Sequence, residues 1–431
     1  MISAPSVAKA FDPRCSPQST SNELTSAICL LTSDFFYNRL VLTERMEFLP
    51  ERDAELFASL PVAPAVFVLR GADPASEPYV TKTANLRRRL ERLLSPPEER
   101  SKRLNLRDRV RSIEYSLTGS DFESGFLLYQ LLRSAFPTTY DKRLRLRFAP
   151  LVKLHLENEY PRASVTTRLG RLGGKNIYYG PFPSRTAAEK FMNDALDFFK
   201  MRRCVDDLHP DPKFPGCVYS EMKMCLAPCF KGCTDGDYRA EVVRVEDFLN
   251  TRGESLKRQI STERDRASES LAFEEAAALH TRLEKLAPVL QQISEAVQRV
   301  DRMHALIVQQ SAAAESVALF RVDAGVLSGP LVFPISGGER TKSQSMDARI
   351  QAALTEFHAA QPSSAVERME HLAILRRWCY RGSRKGEIFF ADARGELPMR
   401  RIVRGIGRVY KGEAPEIPPP VVTPAGPQES K

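Results

Sequence analysis

The chain has 431 residues, 42% of them hydrophobic, and a formal net charge of +9 at pH 7. That length allows two or three domains, and the apolar fraction is enough to give each a core. No apolar run approaches the roughly 20 residues of a membrane helix, and Met1 to Ala10 lacks the apolar stretch of a signal peptide, so a cytoplasmic protein with no membrane partner is expected.

Residues 1–45 are mixed in composition, with a Ser/Thr/Asn-rich patch from Ser16 to Ser26, and read as a loosely docked arm. Ala65 to Arg70 is a short β-prone run. Pro78 to Lys82 suits its partner strand, and Gly71 to Glu77 supplies the turn. Leu86, Leu90, Leu93 and Leu94 then recur with helical period. This stretch is also the most basic of the chain. Between Thr81 and Ile113, eleven basic residues against four acidic ones leave +7, most of the total excess. Such a concentration of positive charge points to a polyanionic partner, nucleic acid above all. A further helix is predicted over Phe126 to Ala135, closed by Pro137.

A second unit follows. Val152 to Leu156 and Ser164 to Arg168 read as strands. Thr186 to Phe199 reads as a helix with Ala188, Phe191, Ala195 and Phe198 on its inner face. Next come Cys204, Cys217, Cys225 and Cys229, in the spacing C-x12-C-x7-C-x3-C. Four thiols within 26 residues form a donor set suited to a zinc ion or an iron–sulfur cluster. The alternative reading is buried, reduced thiols. Cys233 could act as a spare ligand, and Cys15, Cys29 and Cys379 are scattered. From Tyr238 to about Val300 the pattern is helical and charged, with one Gly and one Pro, and predicts an extended helical pair. Val317 to Val322 and Val326 to Pro334, joined by Asp323-Ala324-Gly325, form a hairpin signature. Ala348 to Phe357 and Glu370 to Trp378 read as helices. Residues 413–431 contain six prolines and read as a disordered tail. The fold class expected is α+β, in several domains.

The words around the cysteines are distinctive. Tyr178-Tyr179-Gly180-Pro181-Phe182-Pro183 precede Arg202-Arg203-Cys204, and Met224-Cys225-Leu226-Ala227-Pro228-Cys229 follow. This ordered set resembles the cysteine-rich region of the UvrC family, the nuclease subunit of bacterial nucleotide excision repair. The resemblance favours a [4Fe-4S] cluster on Cys204, Cys217, Cys225 and Cys229. Zinc remains the alternative, because both accept four thiolates.

The same family opens with a GIY-YIG nuclease domain, which residues 46–145 resemble. Pro64-Ala65-Val66-Phe67, Tyr79-Val80-Thr81-Lys82 and Asn85-Leu86-Arg87-Arg88-Arg89-Leu90 stand where the family has Pro-Gly-Val-Tyr, Tyr-Ile-Gly-Lys and Asn-Leu with a basic run. The resemblance implies catalytic remnants at Tyr79, Lys82 and Arg89, and DNA contacts from Arg87, Arg88, Arg89 and Arg92. It also departs from the pattern. Phe67 replaces the first tyrosine, and Tyr129 occupies the position of the glutamate that holds the divalent ion. A phenol is a poor Mg2+ ligand at neutral pH, so Mg2+ is expected only if the site is active. Glu123 is the nearest carboxylate, on a different part of the helix.

Residues 246–286 resemble a UVR motif, the hairpin with which UvrC meets UvrB. The word Leu271-Ala272-Phe273-Glu274-Glu275-Ala276-Ala277 makes Phe273, Glu274, Ala276 and Ala277 the candidate contacts to a UvrB-like partner. The implied divisions are an arm at 1–45, a degenerate nuclease domain at 46–145, a cysteine-cluster domain at 146–237, the hairpin at 238–300, a small α+β unit at 301–412 and the tail. The resemblance fades after about residue 300, and acids there such as Asp392 form no recognisable catalytic set. It implies a DNA-binding excision-repair protein with an impaired nuclease, or a non-catalytic paralogue that recruits or competes with the excinuclease.

Overall fold

The computed structural model describes residues 42–97, 103–205, 207–336, 344–357, 364–382 and 384–415. The expected arm up to residue 41 and the proline-rich segment from 416 onward lie outside the described residues, as do Cys15 and Cys29. The expected arm is also too long at its end, because a strand begins at Glu44.

The chain divides into two compact units. The first is built from residues up to Ser116 together with Leu127–Tyr140. It holds β1 (Glu44–Glu47), α1 (Asp53–Ser59), β2 (Ala65–Arg70), β3 (Tyr79–Thr83), α2 (Leu86–Leu94) and β4 (Ser112–Leu117), in a sheet ordered β1-β4-β2-β3. β2 and β3 pair antiparallel, with Phe67 opposite Thr81 and Val66 opposite Lys82. Asn85 caps α2, its side chain accepting from the Arg88 N–H at 3.0 Å. The helix buries Leu86, Leu90, Leu93 and Leu94, the face that the leucine spacing predicts. That face carries all the apolar residues of the helix, so its charged positions are left to the flanks and the outer side.

The helix α3 (Asp121–Ala135) starts five residues before the expected Phe126. Its early turns belong to the second unit and its residues from Leu127 to the first. In the first unit Leu127 and Leu131 pack on Val66 and Val68. The early start has a local cause in a Ser-x-x-Glu cap. Ser120 Oγ accepts from the Glu123 N–H at 3.1 Å, and the Glu123 carboxylate accepts from the Gly119 N–H at 2.7 Å.

The second unit contains two further sheets. After α4 (Tyr140–Leu144) come β5 (Leu151–Leu154), β6 (Ala163–Thr166), β7 (Ile177–Gly180), α5 (Arg185–Leu196), the cysteine loop with its short α6 (Val218–Glu221), α7 (Asp235–Asn250), α8 (Glu254–Glu269), α9 (Phe273–Gln291) and β8 (Gln298–Arg299). The sheet order is β6-β5-β7-β8, every pair antiparallel. Its core joins Val152, Leu154 and Tyr179 to Phe191, Phe199, Tyr238 and Phe248.

The expected helical pair is three helices. Gly253, at φ +91°, breaks the run, and a Cβ there would lie 2.0 Å from Leu290 Cδ2. The other turn passes through Leu271 at φ 59° and leaves that side chain 71% exposed.

The third sheet, ordered β11-β10-β9-β12, is formed by β9 (His304–Gln310), β10 (Ser316–Asp323), β11 (Val326–Pro334) and β12 (Glu387–Phe390). α10 (Met346–Glu356), α11 (Ala365–Cys379) and α12 (Met399–Lys411) complete the unit. The predicted hairpin turns at Ala324 and Gly325, both at positive φ, as a two-residue primed turn requires. Among the described residues no helix is long and apolar enough to cross a membrane.

Burial of Glu123 makes the stability of this fold pH-dependent. Desolvation raises its pKa from an ordinary 4.5 to about 7, against the lowering effect of the Gly119 and Ser120 N–H groups. The folded protein therefore holds this proton more tightly than the unfolded chain. The associated stability is complete below about pH 4.5 and is lost as pH rises through 7, a change of about 3 kcal/mol at most. Glu123→Gln should flatten urea-unfolding free energy across this window. A variant with the wild-type pH profile would refute the assignment.

Candidate nucleic-acid groove and thiol cluster

β3 and α2 bring together two of the three expected catalytic remnants. Arg89 donates from Nη2 to the Tyr79 hydroxyl at 2.9 Å. The Tyr79 ring lies 6.3 Å from that of Phe67, which is fully buried. Lys82 does not share this arrangement. Strand side chains alternate between faces, so Lys82 lies on the face of Val80, which packs with Val66, Val68 and Leu127, opposite to that of Tyr79.

The four expected DNA-contacting arginines separate in the same way. Arg88 and Arg92 are exposed, one turn apart, and with Arg89 line an open groove of about 760 Å³. Arg87 is turned away from it. Its Nε donates to the Leu60 carbonyl at 2.8 Å and its Nη2 to the Ala58 carbonyl at 2.9 Å. Arg107 is likewise structural, joined to Asp53 at 2.5 Å and to the carbonyls of Leu94 and Pro50.

Sequence reasoning missed the far wall of the groove, formed by Pro96, Pro97, Arg103, Leu104 and Asn105. The chain folds back there through two hydrogen bonds, Leu106 N–H to Leu93 O and Asn105 Nδ2 to Ser95 O, both at 2.8 Å. The proline pair after the helix was the only local signal of that reversal.

Tyr129 is only 1% exposed. Its ring meets Tyr140 edge-on at 6.4 Å, and its hydroxyl accepts from Arg133 Nη1 at 3.1 Å. The position at which the resemblance leads one to expect a metal-binding glutamate is thus occupied by a packed aromatic side chain. Glu123 is engaged in the cap of its own helix.

The four candidate thiols lie near enough to influence one another electrostatically. Burial raises the Cys225 pKa to about 11, with further contributions from Cys204, Cys229 and Cys217. Cys229 is raised by burial and by Cys217 and Cys204. Two N–H donors point at sulfur, as suits a thiolate ligand: Arg202 Nη1 to Cys204 Sγ at 3.4 Å and the Ala227 amide to Cys225 Sγ at 3.3 Å.

Among the described residues no three His, Cys, Asp or Glu side chains already stand in a metal-binding group. The donor chemistry fits a thiolate-bound centre, while the sulfurs are neighbours rather than a closed chelate. Cys233 packs against the core, with burial and the carboxylates of Asp237 and Asp235 raising its pKa.

On the hairpin of α8 and α9, Phe273 is 66% exposed. Glu274 and Ala277 are exposed beside it, and Ala276 is half-buried. The close seam of the hairpin is made instead by residues such as Leu256, Ile260, Ala267 and Leu286.

Residues 150–248, from β5 through the cysteine loop to the end of α7, match the family described as UvrC/Cho excinuclease, middle domain. This segment of the chain therefore carries a UvrC-type middle domain. The chain is similar to the UvrABC system protein C of Rickettsia bellii, 29% identical over 62% of this chain and 41% of that protein. The same-named protein of Carboxydothermus hydrogenoformans is 29% identical over 67% of this chain and 46% of its own length. The matched region thus spans less than half of these UvrC relatives. No solved structure matches the chain.

The packing of Tyr129 predicts that a carboxylate is poorly tolerated at this position. Tyr129→Phe should cost about 1 kcal/mol, one hydrogen bond. Tyr129→Glu should cost about 3 kcal/mol or more at neutral pH, by burying an acid. Chemical denaturation of the two variants checks this, and a glutamate variant as stable as wild type would refute it.

Proposed function

We propose that this chain is a UvrC-like DNA-binding protein of nucleotide excision repair whose nuclease-like unit holds the sugar–phosphate backbone but cleaves it poorly. The observation that carries the reading is the pairing of a cationic groove, lined by Arg88, Arg89 and Arg92, with a buried Tyr129 where a metal ligand would stand. Guanidinium groups at the groove would neutralise phosphates without reading sequence. Arg89 would hold the Tyr79 hydroxyl beside a bound phosphate. Phe67 offers no second hydroxyl, and the residues present do not fit Mg2+ at the expected position, so hydrolysis lacks its main source of charge stabilisation. The burial of Tyr129 also favours a second reading within the same pathway, a non-catalytic paralogue that recruits or competes with the excinuclease.

The exposed Phe273, with Glu274 and Ala276, supports contact with a UvrB-like protein through residues 246–286, since an exposed aromatic side chain at a turn is a suitable anchor. Cys204, Cys217, Cys225 and Cys229 would hold a [4Fe-4S] cluster, or zinc as the alternative, and a bound centre would cross-link the loop that leads into α7.

Reversal of both Arg88 and Arg92 to Glu should weaken duplex binding and flatten the slope of log K against log salt by about 2, near 0.9 per lost phosphate contact. Nicking of supercoiled plasmid with Mg2+ should be negligible, because loss of one charge-stabilising group commonly costs roughly 10²- to 10³-fold in rate. Robust incision that disappears in Arg89→Ala would overturn the impaired-site reading.

Anaerobically purified protein should contain iron and sulfide, or zinc, at one centre per chain. The metal should be lost in a Cys204→Ser, Cys225→Ser double variant. A metal-free wild-type protein with four titratable thiols in this loop would refute the centre.

A further inference from the structure

We infer that α12 presents a second nucleic-acid backbone contact, on an outer stripe formed by Arg400, Arg404 and Lys411. The helix contains five basic residues and no acidic one. Its inner face is occupied by Ile402, Gly405, Ile406 and Val409, which are buried. Gly405 allows close packing on the sheet, since a Cβ there would lie 2.2 Å from the Phe389 ring. Two of the five cations are engaged in holding the helix down. Arg408 makes a two-point bridge to the buried Glu387, both contacts at 2.8 Å. Arg401 lies over the Phe389 ring and 3.9 Å from Glu295.

The other three point elsewhere. Arg400, Arg404 and Lys411 are exposed. Spacings of four and seven residues place them within about 40° of one another on a helix, along roughly 16 Å of its length. Gly407 falls in the same stripe, with nothing within 4 Å of a Cβ built on it, so a phosphate backbone could approach between the cations. Among the described residues Arg400 and Arg404 have no carboxylate partner, and Lys411 has an exposed one, Glu413 at 3.8 Å. Arg400 lies in the first turn, which carries no acidic residue. A cation there opposes the helix dipole, so helix stability does not account for it. A lipid surface is disfavoured as the occupant because the apolar face of this amphipathic helix is already buried in the core. A polyphosphate strand suits the charge, spacing and exposure.

The proposal shares with the functional reading above only the premise that the ligand is nucleic acid. The test uses the full chain, a fluorescently labelled duplex and a salt titration. The triple variant Arg400→Gln, Arg404→Gln, Lys411→Gln should bind more weakly, with the slope of log K against log salt flattened by about 2 to 3. Gly407→Glu places an acid among the cations while improving helix propensity, and should weaken binding with no fall in thermal midpoint. The same changes made in the Arg88→Glu, Arg92→Glu background should weaken binding further, which separates this contact from the groove on α2. An unchanged slope in the triple variant and unchanged affinity in Gly407→Glu would overturn the proposal. Loss of pelleting on phosphatidylserine vesicles with DNA affinity intact would also overturn it.

Discussion

The Tyr238 hydroxyl donates to the Pro161 carbonyl at 2.7 Å and accepts from the Arg202 N–H at 3.1 Å. The Arg202 guanidinium in turn donates to the Tyr160 carbonyl at 2.9 Å and to Cys204 Sγ at 3.4 Å, and the Tyr160 hydroxyl donates to Asp235 at 2.8 Å. One buried phenol therefore ties together the start of α7, the segment before β6 and the entry to the cysteine loop. Tyr238 and Arg202 are buried, Cys204 is half-buried, and Asp235 is exposed. The arrangement is stable only because each finds a partner, which fixes the geometry more tightly than apolar contact alone would. The network fixes the entry to the cysteine loop at Arg202 and Cys204.

A comparable division of labour governs the arginines. Arg87 and Arg107 face carbonyl groups and a carboxylate inside the first unit. Arg401 and Arg408 face carboxylates, and Arg401 also an aromatic ring, within the second. Guanidinium suits that role because its five donors can satisfy several acceptors at once. Net charge therefore overstates the charge offered to a ligand. The cations that remain exposed, such as Arg88 and Arg92, are the ones that can exchange water and counterions for phosphate.

Much of this was readable from residue order. The period of Leu86, Leu90, Leu93 and Leu94 gives α2 and its buried face, and the apolar runs flanking Asp323-Ala324-Gly325 give the hairpin. These signals are local, because an amphipathic face and a turn are encoded within a few residues. What escaped depends on long-range packing or on caps. The separation of Arg87 from Arg88 rests on two carbonyls, Ala58 in α1 and Leu60 just after it, nearly thirty positions earlier in the chain. Gly253 reads as one tolerated glycine in a helical stretch until the Leu290 side chain is seen against it. The thiol spacing identified a donor set, but the Arg202 and Ala227 donors to sulfur could not be read from cysteine positions alone.

Tyr129 shows why a carboxylate and a packed phenol do not interchange at one position. A solvated carboxylate near a metal and a phenol packed beside Tyr140 make opposite demands on their surroundings. The first needs water, or a cation to offset desolvation. The second needs apolar contact and a single donor, here Arg133. Once neighbours pack around the ring, introducing a charge meets a low-dielectric enclosure, and its cost exceeds that of most single substitutions. The arginine groove faces no such constraint. Arg88 and Arg92 project from a helix whose stability comes from its leucine face, so the groove does not depend on what stands at position 129. The cationic groove and the packed Tyr129 thus rest on physically separable parts of the same unit, and under the proposed function binding would not depend on a carboxylate at position 129.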